Sequence, residues 1–399
     1  MSNNLNSQQK AALKYIDGPL LVLAGAGSGK TSVITQKIAY LVEQCDIPAR
    51  NIAAVTFTNK AAREMKARVS KLMPKDKARG LTVSTFHNLG LTIIRTEIKT
   101  LGFKPGFSIL DQEDCRKLLK ELMVRHSELD DKLLDQVQST ISNWKNSLLE
   151  PGQATGASDS TGEQGIAMLY ERYQRALKAY NAVDFDDLIM TPVMLFRQYP
   201  DILSKWQRRI RYLLVDEYQD TNLAQYELVK TLVNEKQALT VVGDDDQSIY
   251  AWRGARPENL MQLQTDFPGL EIIKLEQNYR STGRILRAAN TLIDNNPHLI
   301  SKQLWSELGP GDPLRLISAE NEEDECERVV NEIIDMRLKR RCKYSDFAVL
   351  YRGNYQAKLV EIKLQSQNIP YEITGGQSFY AKTEIKDVMA YLRLLINPD

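Results

Sequence analysis

The chain has 399 residues, 43% hydrophobic and 26% charged, as in ordinary soluble globular proteins of two or more domains. Lys plus Arg number 52 against 51 Asp plus Glu, so no basic field covers the molecule and any nucleic-acid site must be a local groove. Cys45, Cys115, Cys326 and Cys342 are scattered with no C-x-x-C pair, which argues against a zinc knuckle or a disulfide framework. The polar N-terminus lacks a signal-peptide core and no apolar run approaches the ~20 residues that span a bilayer; a cytoplasmic protein with no membrane partner is expected.

In chain order, Leu20–Ala24 reads as a short buried strand. A glycine-rich turn follows, then a helical pattern from Thr31 to about Glu43, a strand at Ile52–Phe57 and a helix from Asn59. Such alternation predicts a parallel sheet with crossover helices, an α/β fold. From about Asn88 to about Ala182 the pattern is helical, as in Asp111–His126 and Ile166–Tyr180, with a Gly/Ser/Thr-rich stretch at Pro151–Gly165 expected to be a mobile loop. Strands return at Tyr212–Val215 and Leu239–Val242, both running into acidic clusters. A last block predicts strand Ile272–Leu275, helix Gly283–Asp294, strand Leu314–Ser318, helix Glu322–Arg340, strand Phe347–Tyr351 and helix Gln356–Gln367, a second α/β unit. A further helix is expected at Thr383–Leu395.

The chemistry is concentrated after two strands. Ala24-Gly25-Ala26-Gly27-Ser28-Gly29-Lys30-Thr31 follows a strand and opens a helix, the context of a phosphate-binding loop. Glycines let backbone N–H groups turn toward phosphate, and the helix N-terminus adds its partial positive charge. Lys30 would reach the β- and γ-phosphates, and the Thr31 hydroxyl would ligate Mg²⁺. Leu213-Leu214-Val215-Asp216-Glu217 supplies the partner, an apolar strand ending in two carboxylates. Asp216 would hold Mg²⁺ and Glu217 would orient and deprotonate the attacking water. Asn59-Lys60 lacks the carboxylate two residues on that reads guanine, because Ala62 stands there; ATP is favoured over GTP.

These segments sit among others that together resemble a family: Leu5-Asn6-x-x-Gln9, TFTNKAAREM at 56–65, STFH at 84–87, LLVDEYQDTN at 213–222, VVGDDDQSIYAWRGA at 241–255, LEQNYRS at 275–281 and LYRGN at 350–354. With the phosphate loop they are similar to the superfamily 1 DNA helicases of the UvrD/Rep/PcrA group, from about residue 5 to the last residue. The resemblance implies two RecA-like P-loop domains with a mainly helical insertion in the first. Residues 1–88 and 182–276 would be domain 1A, 89–181 the insertion 1B, 277–375 the first part of domain 2A, and 376–399 the start of the insertion 2B. It also implies that Gln9 hydrogen-bonds the adenine edge, Tyr279 stacks on the base, Gln247 senses the γ-phosphate and Arg280 is an arginine finger from 2A. One departure is Ser32, where many relatives carry an arginine lying against the nucleotide.

For DNA, Phe57, Tyr250 and Trp252 are the candidate base-stacking rings, with Lys60, His87 and Arg253 alongside and Asn59 and Thr85 from the same motifs. An extended Tyr250–Arg253 would put both aromatic side chains on one side. Arg352 and Asn354 would contact the strand from 2A. Gln247 precedes Tyr250 by three residues, so a γ-phosphate contact there is expected to shift the base platform. The family's activity implies 3′-to-5′ translocation on single-stranded DNA and unwinding of 3′-tailed or forked duplexes, with replication proteins as partners, by a monomer or weak dimer. The chain stops before the family's later motifs, so little ATPase or unwinding is expected of it alone. A nucleotide-gated DNA-binding module is the rival reading. A helicase–nuclease polypeptide is another, although no nuclease-type carboxylate cluster is visible.

Overall fold

A computed structural model of the chain describes residues 5–123, 131–156, 160–296, 300–374 and 382–396. Contacts divide it into two compact units, one running to Gly311 and one from Asp312.

The first unit holds eight strands among the described residues: β1 (Leu20–Ala24), β2 (Ile52–Thr56), β3 (Thr82–Thr85), β4 (Ser108–Leu110), β5 (Ala182–Asp184), β6 (Tyr212–Val215), β7 (Leu239–Gly243) and β8 (Glu271–Leu275). Six of them form one sheet in the order β3-β2-β6-β7-β1-β8, while β4 and β5 pair separately. Every pairing is parallel, with Val22 opposite Val242 and Ile273, and Val55 opposite Val215. Strands β1, β2, β6 and β7 are buried at every residue, as their unbroken apolar runs require of a sheet covered on both faces. Alternate residues feed two cores. Leu21, Val55, Leu213 and Val241 pack on one face with Phe86, Phe196 and Trp206. Leu20, Val22, Ala54 and Leu214 pack on the other with Ile34, Ile38 and Met65. In such a sheet the carboxyl ends of the strands share one edge, where crossovers leave a crevice for ligands.

The helical insertion is present as helices Gln112–Met123, Asp131–Asn146, Pro151–Gly156 and Thr161–Ala179 around a core that includes Leu119, Leu134, Tyr170 and Tyr173. The loop expected over Pro151–Gly165 is corrected by this. Its described ends are helical, because Ala154 is fully buried and Ser160 caps the second helix by accepting from Glu163 N. At the root of the insertion Lys145 is fully buried, with Nζ 2.6 Å from Asp184 Oδ2, 2.8 Å from Asp187 Oδ1 and 2.8 Å from Gln174 Oε1. A polar chain leads from there to Asn222, which follows β6 in the chain, as Asn222 Nδ2 donates to Asn146 Oδ1 at 2.7 Å and Asn146 Nδ2 to Asp186 Oδ1 at 3.1 Å.

The segment 277–311 stays with the first unit. Asn278 N donates to Trp305 O, and the Leu304 side chain lies where a Cβ on Gly25 would be. The second unit contains helices Glu322–Arg340, Ala357–Ser366 and Thr383–Ile396. Neither Leu314–Ser318 nor Phe347–Tyr351 is a strand, against expectation, and Leu316 and Leu350 are 98% and 92% exposed. A strand needs a ladder partner, and among the described residues these segments have none. No described helix is long and apolar enough to cross a membrane.

Candidate nucleotide and nucleic-acid site

The carboxyl ends of β1, β6 and β7 carry the loops that the sequence singles out. After β1 the chain turns through Gly25–Gly29 into helix Lys30–Glu43. Gly27 and Gly29 lie at φ +70° and +89°, in the left-handed region where a side chain is strained. Space demands glycine as well, since a Cβ on Gly27 would meet Asn278 Nδ2 at 2.6 Å. The loop is braced from within and without. Ser28 Oγ donates to Gly25 O at 2.8 Å, and Gln9 Nε2 donates to Ser28 O at 2.9 Å. Asn278 Nδ2 donates to Ala26 O at 2.5 Å, and Tyr279 N to Gly27 O at 2.9 Å.

Gln9 is held by a capping box. Asn6 accepts from Gln9 N at 2.7 Å and its own N–H donates to Gln9 Oε1 at 3.1 Å. The Asn6 amide also donates to Tyr279 OH at 2.9 Å, so the helix carrying Gln9 and the ring of Tyr279 are tied together.

Beyond β6, Asp216 N donates to Val55 O at 2.8 Å, and Glu217 takes φ +53°, a strained conformation for a non-glycine residue. Lys30 Nζ lies 3.2 Å from Glu217 Oε2. Gln219 Nε2 donates to the same oxygen at 2.9 Å, and Gln219 Oε1 accepts from Asp244 N at 3.0 Å. Gln247 Nε2 in turn donates to Asp244 Oδ2. One hydrogen-bonded path therefore runs from the phosphate-loop lysine to Gln247. Burial pushes the Asp216 carboxyl up to about 7, the Glu217 charge adds to this, and Lys30 opposes it. The Asp220 carboxyl rises to about 6, by burial and then by Glu217, with Lys30 opposing.

These groups surround one cavity of about 290 Å³. The phosphate-loop residues Ala26, Gly27, Gly29, Lys30 and Thr31 line it together with Ser32, Arg68, Glu217, Gln247, Tyr279 and Arg280. Ala24, Gly25, Ser28, Gln9 and Asp216 are buried and do not line it. Arg68, in helix Asn59–Leu72, is a cation that the sequence reading missed, because nothing in its local spacing marks it. Ser32 accepts a hydrogen bond from Gln36 Nε2 at 2.9 Å.

The aromatic candidates also meet. The Phe57 and Tyr250 rings stack with centroids 5.5 Å apart, and Trp252 lies 6.4 Å from Tyr250. The geometry differs from the expected extended segment. Ala251–Arg253 is a single 3-10 turn closed by Gly254 at φ +80°, and it is this turn that keeps both rings together. Trp252 is 64% exposed. The His87 ring packs edge-on to Phe185 at 5.8 Å, and burial pushes its imidazole below the ordinary value. Thr85 caps helix Phe86–Thr96 by accepting from Asn88 N, and Asn88 Nδ2 donates to Asn59 Oδ1 at 3.2 Å. Lys60 is exposed, and the side chain of Arg253 lies outside the described set. Arg352 and Asn354 belong to the second unit, where Gln356 Oε1 accepts from Arg352 N at 3.1 Å.

A family model described as the UvrD/REP helicase N-terminal domain matches residues 5–268, and one described as the UvrD-like helicase C-terminal domain matches residues 273–399. The chain belongs to the UvrD/REP helicase family. Its mixed α/β architecture with a parallel sheet is that family's. The chain is 56% identical, over 99% of its length, to the ATP-dependent DNA helicase Rep of Escherichia coli (strain K12). It is 49% identical, over 99%, to Rep of Buchnera aphidicola subsp. Acyrthosiphon pisum (strain APS), and 44% identical, over its whole length, to the ATP-dependent DNA helicase PcrA of Leuconostoc citreum. It spans 59%, 61% and 53% of those proteins respectively.

Proposed function

We propose that this chain is the nucleotide- and DNA-holding part of an ATP-driven DNA helicase, which moves 3′ to 5′ along single-stranded DNA and separates 3′-tailed or forked duplexes in replication or repair. The observation that carries this reading is the single cavity in which Lys30, Thr31, Glu217, Gln247, Tyr279 and Arg280 converge. In it Lys30 and the loop N–H groups hold the β- and γ-phosphates. Arg280 faces the γ-phosphate as the charge-stabilising finger, and Gln247 senses whether that phosphate is present. Glu217, 3.2 Å from Lys30, is the base that orients the attacking water. Gln9, fixed by its capping box, reads the adenine edge, and Tyr279, tied to Asn6, stacks on the base.

The donor set suits Mg²⁺, a hard cation that takes oxygen ligands. Asp216 is a buried carboxyl with a raised pKa beside a second acid, so a cation there would relieve the cost of ionising it. Thr31 and Asp216 would hold the metal, which supplies charge neutralisation for the transferred phosphoryl group.

In the first unit Phe57, Tyr250 and Trp252 are assigned as base-stacking rings, with Asn59, Lys60, Thr85, His87 and Arg253 as further DNA contacts; in the second unit Arg352 and Asn354 are assigned DNA contact. Residues 1–88 with 182–276 are assigned to domain 1A, 89–181 to 1B, 277–375 to 2A and 376–399 to the start of 2B. The protein works in the cytoplasm as a monomer or weak dimer alongside replication proteins.

The test measures binding of a fluorescent single-stranded oligonucleotide with and without a non-hydrolysable ATP analogue and Mg²⁺. Nucleotide should change the DNA affinity several-fold, and Lys30→Ala should remove that dependence. Nucleotide binding that survives Lys30→Ala unchanged, or DNA affinity indifferent to nucleotide in the wild-type chain, would overturn the reading.

A further inference from the structure

Behind the turn that carries Gln247, and outside the cavity lining, lies a buried ammonium. Lys302 lies in the segment Ser301–Trp305, outside any helix or strand and far in sequence from the phosphate loop. Its side chain is only 3% exposed, and its Nζ sits 2.7 Å from Asp244 Oδ1, 2.6 Å from Asp245 Oδ1 and 2.6 Å from Asp246 Oδ2. Burial alone would lower its pKa, but hydrogen bonds to Asp244, Asp245 and Asp246 outweigh burial and raise it above the ordinary value. The backbone on either side is pinned. Lys274 Nζ donates to Ser301 O at 2.7 Å, Gln303 N to Glu276 Oε1 at 3.0 Å and Asn290 Nδ2 to Leu304 O at 3.0 Å. A fixed ammonium is thus delivered to the turn that carries Gln247.

Asp244 is the shared partner. One of its oxygens faces Lys302, and the other accepts the Gln247 side-chain amide. Gln247 also lines the phosphate cavity, whereas Asp244 does not. The Gln247 amide therefore has two competing acceptors, the Asp244 carboxylate and a γ-phosphate in the cavity. A hydrogen bond to a carboxylate strengthens with its uncompensated negative charge. The ammonium beside Asp244 lowers that charge and so weakens its hold on Gln247.

Resting on the reading of Gln247 as the γ-phosphate sensor, we infer that Lys302 is a positioning residue that frees Gln247 from Asp244, and so sets the preference for a nucleoside triphosphate over the diphosphate. Removing the ammonium leaves the Asp244 carboxylate uncompensated, so it holds the Gln247 amide more tightly and makes it less available to a γ-phosphate in the cavity. The diphosphate does not reach Gln247, so its binding is indifferent to the change. A side chain that only braced the fold would move both affinities together.

The test titrates the chain with fluorescent ADP and with a fluorescent non-hydrolysable ATP analogue, both with Mg²⁺, and reads the ratio of the two affinities. Lys302→Met should shrink the triphosphate preference five- to tenfold while the diphosphate affinity stays within twofold. Asp244→Asn combined with Lys302→Met should restore the ratio to within threefold of wild type, as should Lys302→Arg, which keeps a cation. These two variants carry the comparison if Lys302→Met does not fold. An unchanged ratio in Lys302→Met, equal losses for both nucleotides, or no recovery in the double variant overturns the inference. Wild-type chain that binds both nucleotides without preference overturns the sensor reading itself, which is a separate outcome.

Discussion

Replacing Lys145 by methionine removes the ammonium that pairs with Asp184 and Asp187 at the base of the helical insertion. The side chain is fully buried and the carboxylates are nearly so. Desolvation opposes ionisation of Asp184, but Lys145 outweighs it and holds that carboxyl below its ordinary value. Burial pushes Asp187 up to about 6, and the Asp184 charge adds to it, with Lys145 opposing. Breaking a buried pair by deleting one partner strands the other, at a cost of about 3–5 kcal/mol. Methionine preserves most of the volume, so the loss reflects charge rather than a cavity. The pH dependence has a definite sign. A carboxyl whose folded pKa is raised keeps a proton that the unfolded chain releases, so stability falls as pH climbs from about 4 through the folded value. The Lys145→Met penalty should therefore be largest at pH 8 and shrink toward pH 5.5 as the stranded carboxyls protonate. Urea unfolding measures it, followed by circular dichroism and tryptophan fluorescence, with Trp144 stacked on Tyr170 at 6.0 Å as a local reporter. Adding Asp184→Asn and Asp187→Asn should recover most of the loss. A penalty below about 1 kcal/mol, or one that does not vary with pH, would refute the reasoning.

Three further outcomes follow from the geometry. With Asp216 raised to about 7 by burial and by Glu217, metal must compete with a proton, so Mg²⁺-dependent nucleotide affinity should rise about tenfold from pH 6 to pH 8. Asp216→Asn should flatten that profile, and a profile that stays steep assigns the titration elsewhere. Gly90→Ala would place a Cβ 1.8 Å from Leu188 O, a backbone atom that cannot step aside, and should destabilise the first unit by about 3 kcal/mol in thermal or urea unfolding. Trp252→Ala should leave the melting temperature unchanged because the ring is 64% exposed, yet weaken single-stranded DNA binding by about 1–3 kcal/mol in a fluorescence anisotropy titration.

The parts of this molecule that were legible in its sequence are those whose physics is local. The apolar runs at Leu20–Ala24, Tyr212–Val215 and Leu239–Val242 could be read as buried strands because parallel strands covered on both faces need no alternation. The loop before Lys30 was readable because its glycines meet a backbone requirement at fixed offsets. Helicity at Thr161–Ala179 was partly hidden, since Gly162 and Gly165 weaken the intrinsic signal and Ser160 with packing supplies the difference. The two segments read as strands at Leu314–Ser318 and Phe347–Tyr351 show the converse. An apolar run reports what a residue prefers to touch, whereas a strand also needs a neighbour's backbone, which lies elsewhere in the chain.

The same distinction separates the groups found at the cavity from those that set its geometry. Lys30, Glu217 and Gln247 sit at recognisable positions in their own motifs. Their immediate partners Gln219 and Asp244 are close in sequence, but the residues that brace the turns from outside are distant. Asn278 reaches Ala26 across 252 positions, and Lys302 reaches Asp245 across 57. Charge alone does not mark Lys302 among 52 basic residues; its burial against three carboxylates does. A lysine is costly to bury unless paired, so an ammonium placed there constrains the turn it touches more tightly than an exposed one could. That constraint falls on Asp244, whose other oxygen holds Gln247. The balance of charge at one aspartate thereby bears on whether the cavity distinguishes three phosphates from two.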